Sequence, residues 1–227
     1  MSALSPLRVA VRLWAGVLVT ATGTPAFAQG TIAYFRPDQA IAVVFDPNGF
    51  PPVFYDFDVD QNGTVDYRFD LAAGLGVTVE PTGANRQVAV PNTPPALGSN
   101  LEPLPAGFQI GASLVPGHEW VSLDSPDRYW RSALSACADI GCIGLFHGQD
   151  AYMGIEFRRG EDIHYGWVHI NNPAGQAGGF ILDWAYETQP GLGILAGAVP
   201  EPSTWALMVG GAFLIVWLKR NERERRG

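Results

Sequence analysis

The chain has 227 residues, a formal net charge of −8 and two cysteines. That acidic balance argues against a nucleic-acid partner, which needs a basic surface, and suits cations or solubility outside a cell. With the two terminal segments described below set aside, residues 29–198 remain, the size of one domain and long enough to bury a core.

Residues 1–28 read as a secretory signal peptide. Arg8 and Arg12 supply a positive start, 13–22 a short apolar run, and Ala26-Phe27-Ala28 an A-x-A site with cleavage after Ala28. An uncleaved anchor is the alternative, disfavoured by the shortness of the apolar run.

Candidate strands follow at 31–35, 41–45, 53–57, 65–71, 77–79, 86–90, 108–110, 152–158, 163–170 and 180–187. They are rich in Val, Ile, Tyr, Phe and Trp, and Gly and Pro punctuate them. No long segment of 29–198 has helical periodicity; only 127–138 has room for a short helix, capped by Ser125 or Asp127. The expected fold is therefore all-β, a single β-sandwich-like domain of jelly-roll type, with a barrel as the alternative.

One stretch carries chemistry. Asp58, Asp60 and Asn62 fall at positions one, three and five of a D-x-D-x-N-G-x-x-D pattern, with Gly63 at the sharp-turn position six. Thr64 offers a carbonyl at seven, and Asp66 a carboxylate at nine, directly or through water. Calcium is a hard cation that takes six to eight oxygens, and this spacing resembles the loops of EF-hand, dockerin and thrombospondin type-three repeats. The resemblance stops at position twelve, where Phe69 replaces the bidentate Glu; Asp56 and Asp70 are the candidate replacements. The flanks Val53, Tyr55, Phe57, Val59 and Val65, Tyr67, Phe69, Leu71 alternate with period two, so the loop is expected at the tip of a β-hairpin rather than between helices. A purely structural Asx-rich turn around Asn62-Gly63 is the competing reading.

Residues 91–105 hold five prolines and are expected to form a surface loop. Cys137 and Cys142 are the only cysteines; in an oxidising compartment they are expected to form a disulfide closing a tight loop. His164 and His169 fall on opposite faces of one strand, so they cannot share a metal. Trp120, Trp130, Trp167 and Trp184 are candidates for a sugar-binding platform, with core packing as the alternative. No G-x-S-x-G or H-E-x-x-H motif occurs, and nothing in the spacing of Glu119, Asp124, Asp127, Glu156, Glu161 and Asp183 selects a carboxylate pair, so no catalytic residue is assigned. Residues 192–199 are read as a last strand or a flexible tether.

Residues 205–218 are uncharged and apolar, with Trp205 and Trp217 at their ends and a basic tail from Lys219 onward. As a helix they would span about 20 Å, somewhat short of a ~30 Å hydrocarbon core, with the basic tail on the cytoplasmic side. Pro200-Glu201-Pro202 stands before them, in a segment that cannot continue the helix inward. This three-part order over 199–227 resembles the PEP-CTERM sorting signal. A weaker likeness runs back through 152–198, on Tyr165-Gly166-Trp167-Val168 and Ala185-Tyr186-Glu187. The resemblance implies a bacterial chain exported through an inner-membrane intermediate and cut by an exosortase at Pro200, Glu201 and Pro202. Its destination would be the cell surface or an exopolysaccharide or biofilm matrix, with a structural or adhesive role. A carbohydrate-binding module and a secreted glycoside hydrolase are the alternatives.

Overall fold

The computed structural model describes residues 31–45, 53–73, 76–91, 99–123, 133–138 and 141–200. The signal-peptide reading with Ala26 and Ala28, the apolar segment 205–218, Glu201, Pro202 and Trp130 lie outside them. The described residues form strands and turns with no helix among them: β1 (Ile32–Phe35), β2 (Ile41–Val44), β3 (Phe54–Phe57), β4 (Tyr67–Ala73), β5 (Gly76–Pro81), β6 (Arg86–Pro91), β7 (Ser99–Leu101), β8 (Gln109–Ile110), β9 (Glu119–Val121), β10 (Ala133–Ala138), β11 (Gly141–Ile143), β12 (Asp150–Arg159), β13 (Asp162–Asn171), β14 (Gly178–Glu187) and β15 (Ile194–Leu195). No helix among the described residues is long and apolar enough to cross a membrane.

All strand pairings are antiparallel. An eight-stranded sheet runs β1-β14-β13-β12-β6-β7, with β2 also on β14 and β9 also on β6. A five-stranded sheet runs β11-β10-β5-β4-β3, and β15 pairs with β8. The main core joins the two large sheets in a β-sandwich-like arrangement: Phe57, Tyr67, Phe69, Val77 and Val79 from one meet Val43, Met153, Ile155, Phe157, Val168, Ile181 and Trp184 from the other. The alternation of β12 and β13 places a second apolar row on the far face of the eight-stranded sheet. There Tyr165, Trp167 and Val88 are covered by Leu104, Ile110, Ile194 and Ala196. This explains why β12 to β14 read as nearly continuous apolar runs: both of their faces are packed.

Two expectations are corrected, and a third choice between alternatives is decided. The stretch read as a short helix ends in a strand, because Ala133–Ala138 pairs with both β5 and β11. In the proline-rich 91–105, residues 92–98 lie outside the described residues; the remainder is not surface loop, since Pro91 ends β6 and pairs with Ser99 of β7, and Leu101 and Leu104 are fully buried. Of the two readings of 192–199, the last strand holds, since Ile194–Leu195 pairs with β8, and the segment is docked rather than a flexible tether. Ile194 and Ala196 are buried, Ala196 N donates to Phe108 O at 2.9 Å, and Trp167 Nε1 donates to Ala198 O at 3.2 Å. Gly197 lies so close to Tyr152 that a Cβ there would sit 2.9 Å from the phenol oxygen. Cys137 and Cys142 are register partners in the β10–β11 hairpin and are joined by a disulfide, as expected.

Candidate metal centre

Strands β3 and β4 pair in register from Phe54–Asp70 to Phe57–Tyr67, which leaves 58–66 as the hairpin turn. The inward residues Phe57, Val59, Tyr67 and Phe69 are all buried, so the alternation in the sequence is also the packing. Gly63 has φ +90 and Gln61 φ +58, two left-handed positions that turn the chain sharply between the acids. The turn is held by its own side chains. Asn62 N donates to Asp58 Oδ1 and to Asp60 Oδ1 at 3.2 Å each, Gly63 N to Asp58 Oδ2 at 2.6 Å, and Thr64 N to Asn62 Oδ1 at 2.7 Å.

Carboxylate oxygens of Asp58, Asp60 and Asp66 come within 4.8 Å of one another, a cluster that could hold a metal ion. Asn62 and Thr64 belong to the same turn: the Asn62 amide donates to Asp58 and Asp60, while the Asn62 side-chain oxygen accepts the Thr64 amide. Position twelve carries no ligand because Phe69 is wholly buried in the core; a glutamate there would point between the sheets. Neither suggested replacement joins the cluster. Asp56 is gripped by Arg68 on the outer face, Nε to Oδ1 at 2.6 Å, and Asp70 pairs with Phe54 and Thr78 along β4.

Asp66 is the one of the three whose whole residue is buried, 2% exposed. Burial, reinforced by the charges of Asp60 and Asp58, lifts its carboxyl to about 6, against hydrogen bonds from Val59 N and Asn85 Nδ2 that favour the ionised form. Val59 N donates to Asp66 Oδ2 at 2.9 Å, and Asn85 Nδ2 lies 3.3 Å from Asp66 Oδ1. Thr82 Oγ1 donates to the Asp66 carbonyl at 3.0 Å. Thr82 and Asn85 come from the β5–β6 turn, 16 and 19 positions downstream of Asp66, and no local spacing in the sequence announces them.

The other constellations do different work. His169 engages a carboxylate at each ring nitrogen, Nε2 to Asp150 Oδ1 at 2.7 Å and Nδ1 to Asp183 Oδ1 at 3.2 Å. Tyr34 OH donates to Asp183 Oδ2 at 3.0 Å, and Tyr152 stacks on the imidazole at 4.6 Å. With both nitrogens engaged, this histidine braces β12, β13 and β14. His164 is buried against Phe157 and Tyr186. His147 approaches Cys137 and Cys142, but their sulfurs are bonded to each other. Trp167 and Trp184 are core residues at 1% and 5% exposure, which removes them as a sugar platform. Trp120 is half-buried under the Arg86 guanidinium at 5.6 Å. Comparison of the chain with protein-family models, curated proteins and solved structures finds no match.

Proposed function

We propose that this is an exported bacterial cell-surface or extracellular-matrix protein with a non-catalytic, structural or adhesive role. In this reading its β-sandwich, of jelly-roll type, is braced by calcium at the tip of the β3–β4 hairpin. The observation that carries the calcium part is the convergence of Asp58, Asp60 and Asp66 within 4.8 Å on a turn with a left-handed glycine. Three carboxylates so close repel one another, and an oxygen-seeking dication relieves that repulsion. Extracellular calcium, in the millimolar range, fills even weak loops of this kind, and a Cys137–Cys142 disulfide suits the same compartment. Export itself rests on the sequence ends: the signal peptide, and the Pro200-Glu201-Pro202 segment with its apolar run and basic tail as an exosortase substrate.

Two experiments test the reading. Calorimetric titration of the full chain with calcium is expected to show one site, and chelation to lower the melting temperature; Asp60→Ala should abolish both responses. Mass spectrometry of exported protein is expected to find ends near Gln29 and Val199. An intact C-terminal run in secreted material defeats the sorting part while leaving the calcium part standing.

A further inference from the structure

Asp60 differs from its two neighbours in how its oxygens are used. Oδ1 accepts the Asn62 amide, as both oxygens of Asp58 accept amides of the turn. Asp60 Oδ2 accepts no hydrogen bond, although the side chain is 0% exposed. A buried carboxylate oxygen with unused acceptor capacity, inside a cluster of acids, is the atom that most needs a cation.

The positive charge that reaches it comes from the other sheet. Arg159 Nε, at the end of β12, lies 3.1 Å from Asp60 Oδ2, close enough to pair in charge but not aligned for a hydrogen bond. The two partners are unequal. The Asp60 side chain is wholly enclosed, whereas that of Arg159 is 54% exposed and carries its charge on a long flexible stem.

We propose that Arg159 is a resident substitute for the metal: its guanidinium and a divalent cation are alternative partners of Asp60 Oδ2, and cation binding expels Arg159 into water. The inference rests on the calcium reading above and adds to it how the site is regulated. A calcium ion bound to that oxygen sits roughly 2.4 Å away. A guanidinium nitrogen left 3.1 Å from the same oxygen would then lie at most about 5.5 Å from the calcium, two like charges competing for one carboxylate oxygen. Asp60 cannot retreat because it is enclosed, so Arg159 moves, and its exposed side chain recovers hydration when it does. Arg159 therefore keeps the metal-free hairpin folded at a cost in calcium affinity. Binding exchanges an ion pair between the two sheets for a ligand bond within the turn.

The test compares the wild-type full chain with Arg159→Gln and, as a control for general charge, Arg158→Gln. Calcium alone is the probe, with calorimetry for affinity and melting curves in chelator and in saturating calcium. The expected result is affinity tightened about five- to tenfold in Arg159→Gln, with a lower melting temperature in chelator and little change in saturating calcium. Arg158→Gln should move affinity less than twofold. Calcium binding by Arg159→Gln where the wild type shows none also supports the exchange. Unchanged or weaker affinity in Arg159→Gln, or equal tightening in both variants, overturns the inference and leaves the calcium reading intact. No binding by any of the three proteins removes the calcium reading, and the inference goes with it.

Discussion

Trp184 Nε1 donates to the carbonyl of Val59 at 2.9 Å, and Val59 is the fully buried residue between Asp58 and Asp60. The bond ties the acidic turn of one sheet to the centre of the other. Phe57 and Phe35 hold the indole, at 5.1 Å edge-on and 5.4 Å stacked. Trp184→Phe keeps most of the packing but strands a buried carbonyl, a loss of about 1–3 kcal/mol. For a domain of this size the melting temperature should fall by roughly 2–12 °C. Because Val59 lies between two of the three acids, the calcium affinity proposed for the turn should drop several-fold as well. Melting curves and titration of this one variant check both effects, and a fall in stability with unchanged affinity would show that the turn keeps its shape without the indole.

Asp66 sets a pH dependence whose sign would change if the proposed calcium is bound. Its folded carboxyl titrates at about 6, against an ordinary value of 3.8. The folded metal-free protein therefore holds the proton more tightly than the unfolded chain. The stability from this group is fully present below the unfolded value and is lost as pH rises through about 6, a change of roughly 3 kcal/mol. A bound cation requires the ionised form, so calcium stabilisation should grow across the same window. In chelator the melting temperature should fall between pH 4 and 6; in calcium that fall should shrink or reverse. Asp66→Asn should remove the slope in chelator.

Much of the fold was legible because the cores follow local alternation. The flanks of the acidic turn, Tyr55 to Val59 and Val65 to Leu71, predicted the β3–β4 hairpin, and the runs at 152–158, 163–170 and 180–187 predicted β12 to β14. Strand edges extended by a residue or two, as pairing with neighbours does not stop where side-chain preference stops. Ala133–Ala138 was not legible: a segment rich in Ala and Ser has no strand preference of its own and is extended by β5 and β11 on either side. At the candidate site, spacing marked Asp58, Asp60 and Asp66, since one turn holds them all. Arg159, Asn85 and Trp184 were invisible, because each reaches the turn from another part of the sheets.

Arg86 and Glu156 form a second charged contact at depth among the described residues. Arg86 Nε lies 2.6 Å from Glu156 Oε1, with Nη2 on the second oxygen, and Glu156 is 2% exposed while the arginine side chain is 38% exposed. Tyr67 OH secures the backbones of both, donating to Arg86 O at 2.6 Å and Glu156 O at 2.9 Å. Removing one charge should cost more than removing both. Arg86→Met leaves a buried carboxylate uncompensated and should cost about 3–5 kcal/mol, whereas Arg86→Met with Glu156→Leu should recover most of the loss. Denaturant unfolding of the single and double variants decides it; additive losses would mean that the pair does not act as a unit.

Gly178 opens β14 where β2 joins the sheet, and its backbone does three things at once. It takes φ +82, pairs in register with Val44, and donates its N–H to Ser135 Oγ at 2.7 Å. Ser135 is itself fully buried and also accepts Asn172 Nδ2 at 2.7 Å, so the glycine sits on a polar link between the eight-stranded sheet and β10. A Cβ at this position would lie 2.1 Å from the Val43 carbonyl and 2.7 Å from a Val77 methyl. Neither neighbour can yield freely, since one is backbone and the other is a core side chain. Gly178→Ala should therefore combine a left-handed penalty of about 1–2 kcal/mol with an overpacking cost of similar size. Gly175→Ala is the comparison: φ is again +82, but nothing lies within 4 Å of the added carbon, so only the backbone penalty remains. The difference in unfolding free energy between the two variants measures how tightly β2 and β14 close over the core. A difference near zero would mean that the strands can part by the width of a methyl group.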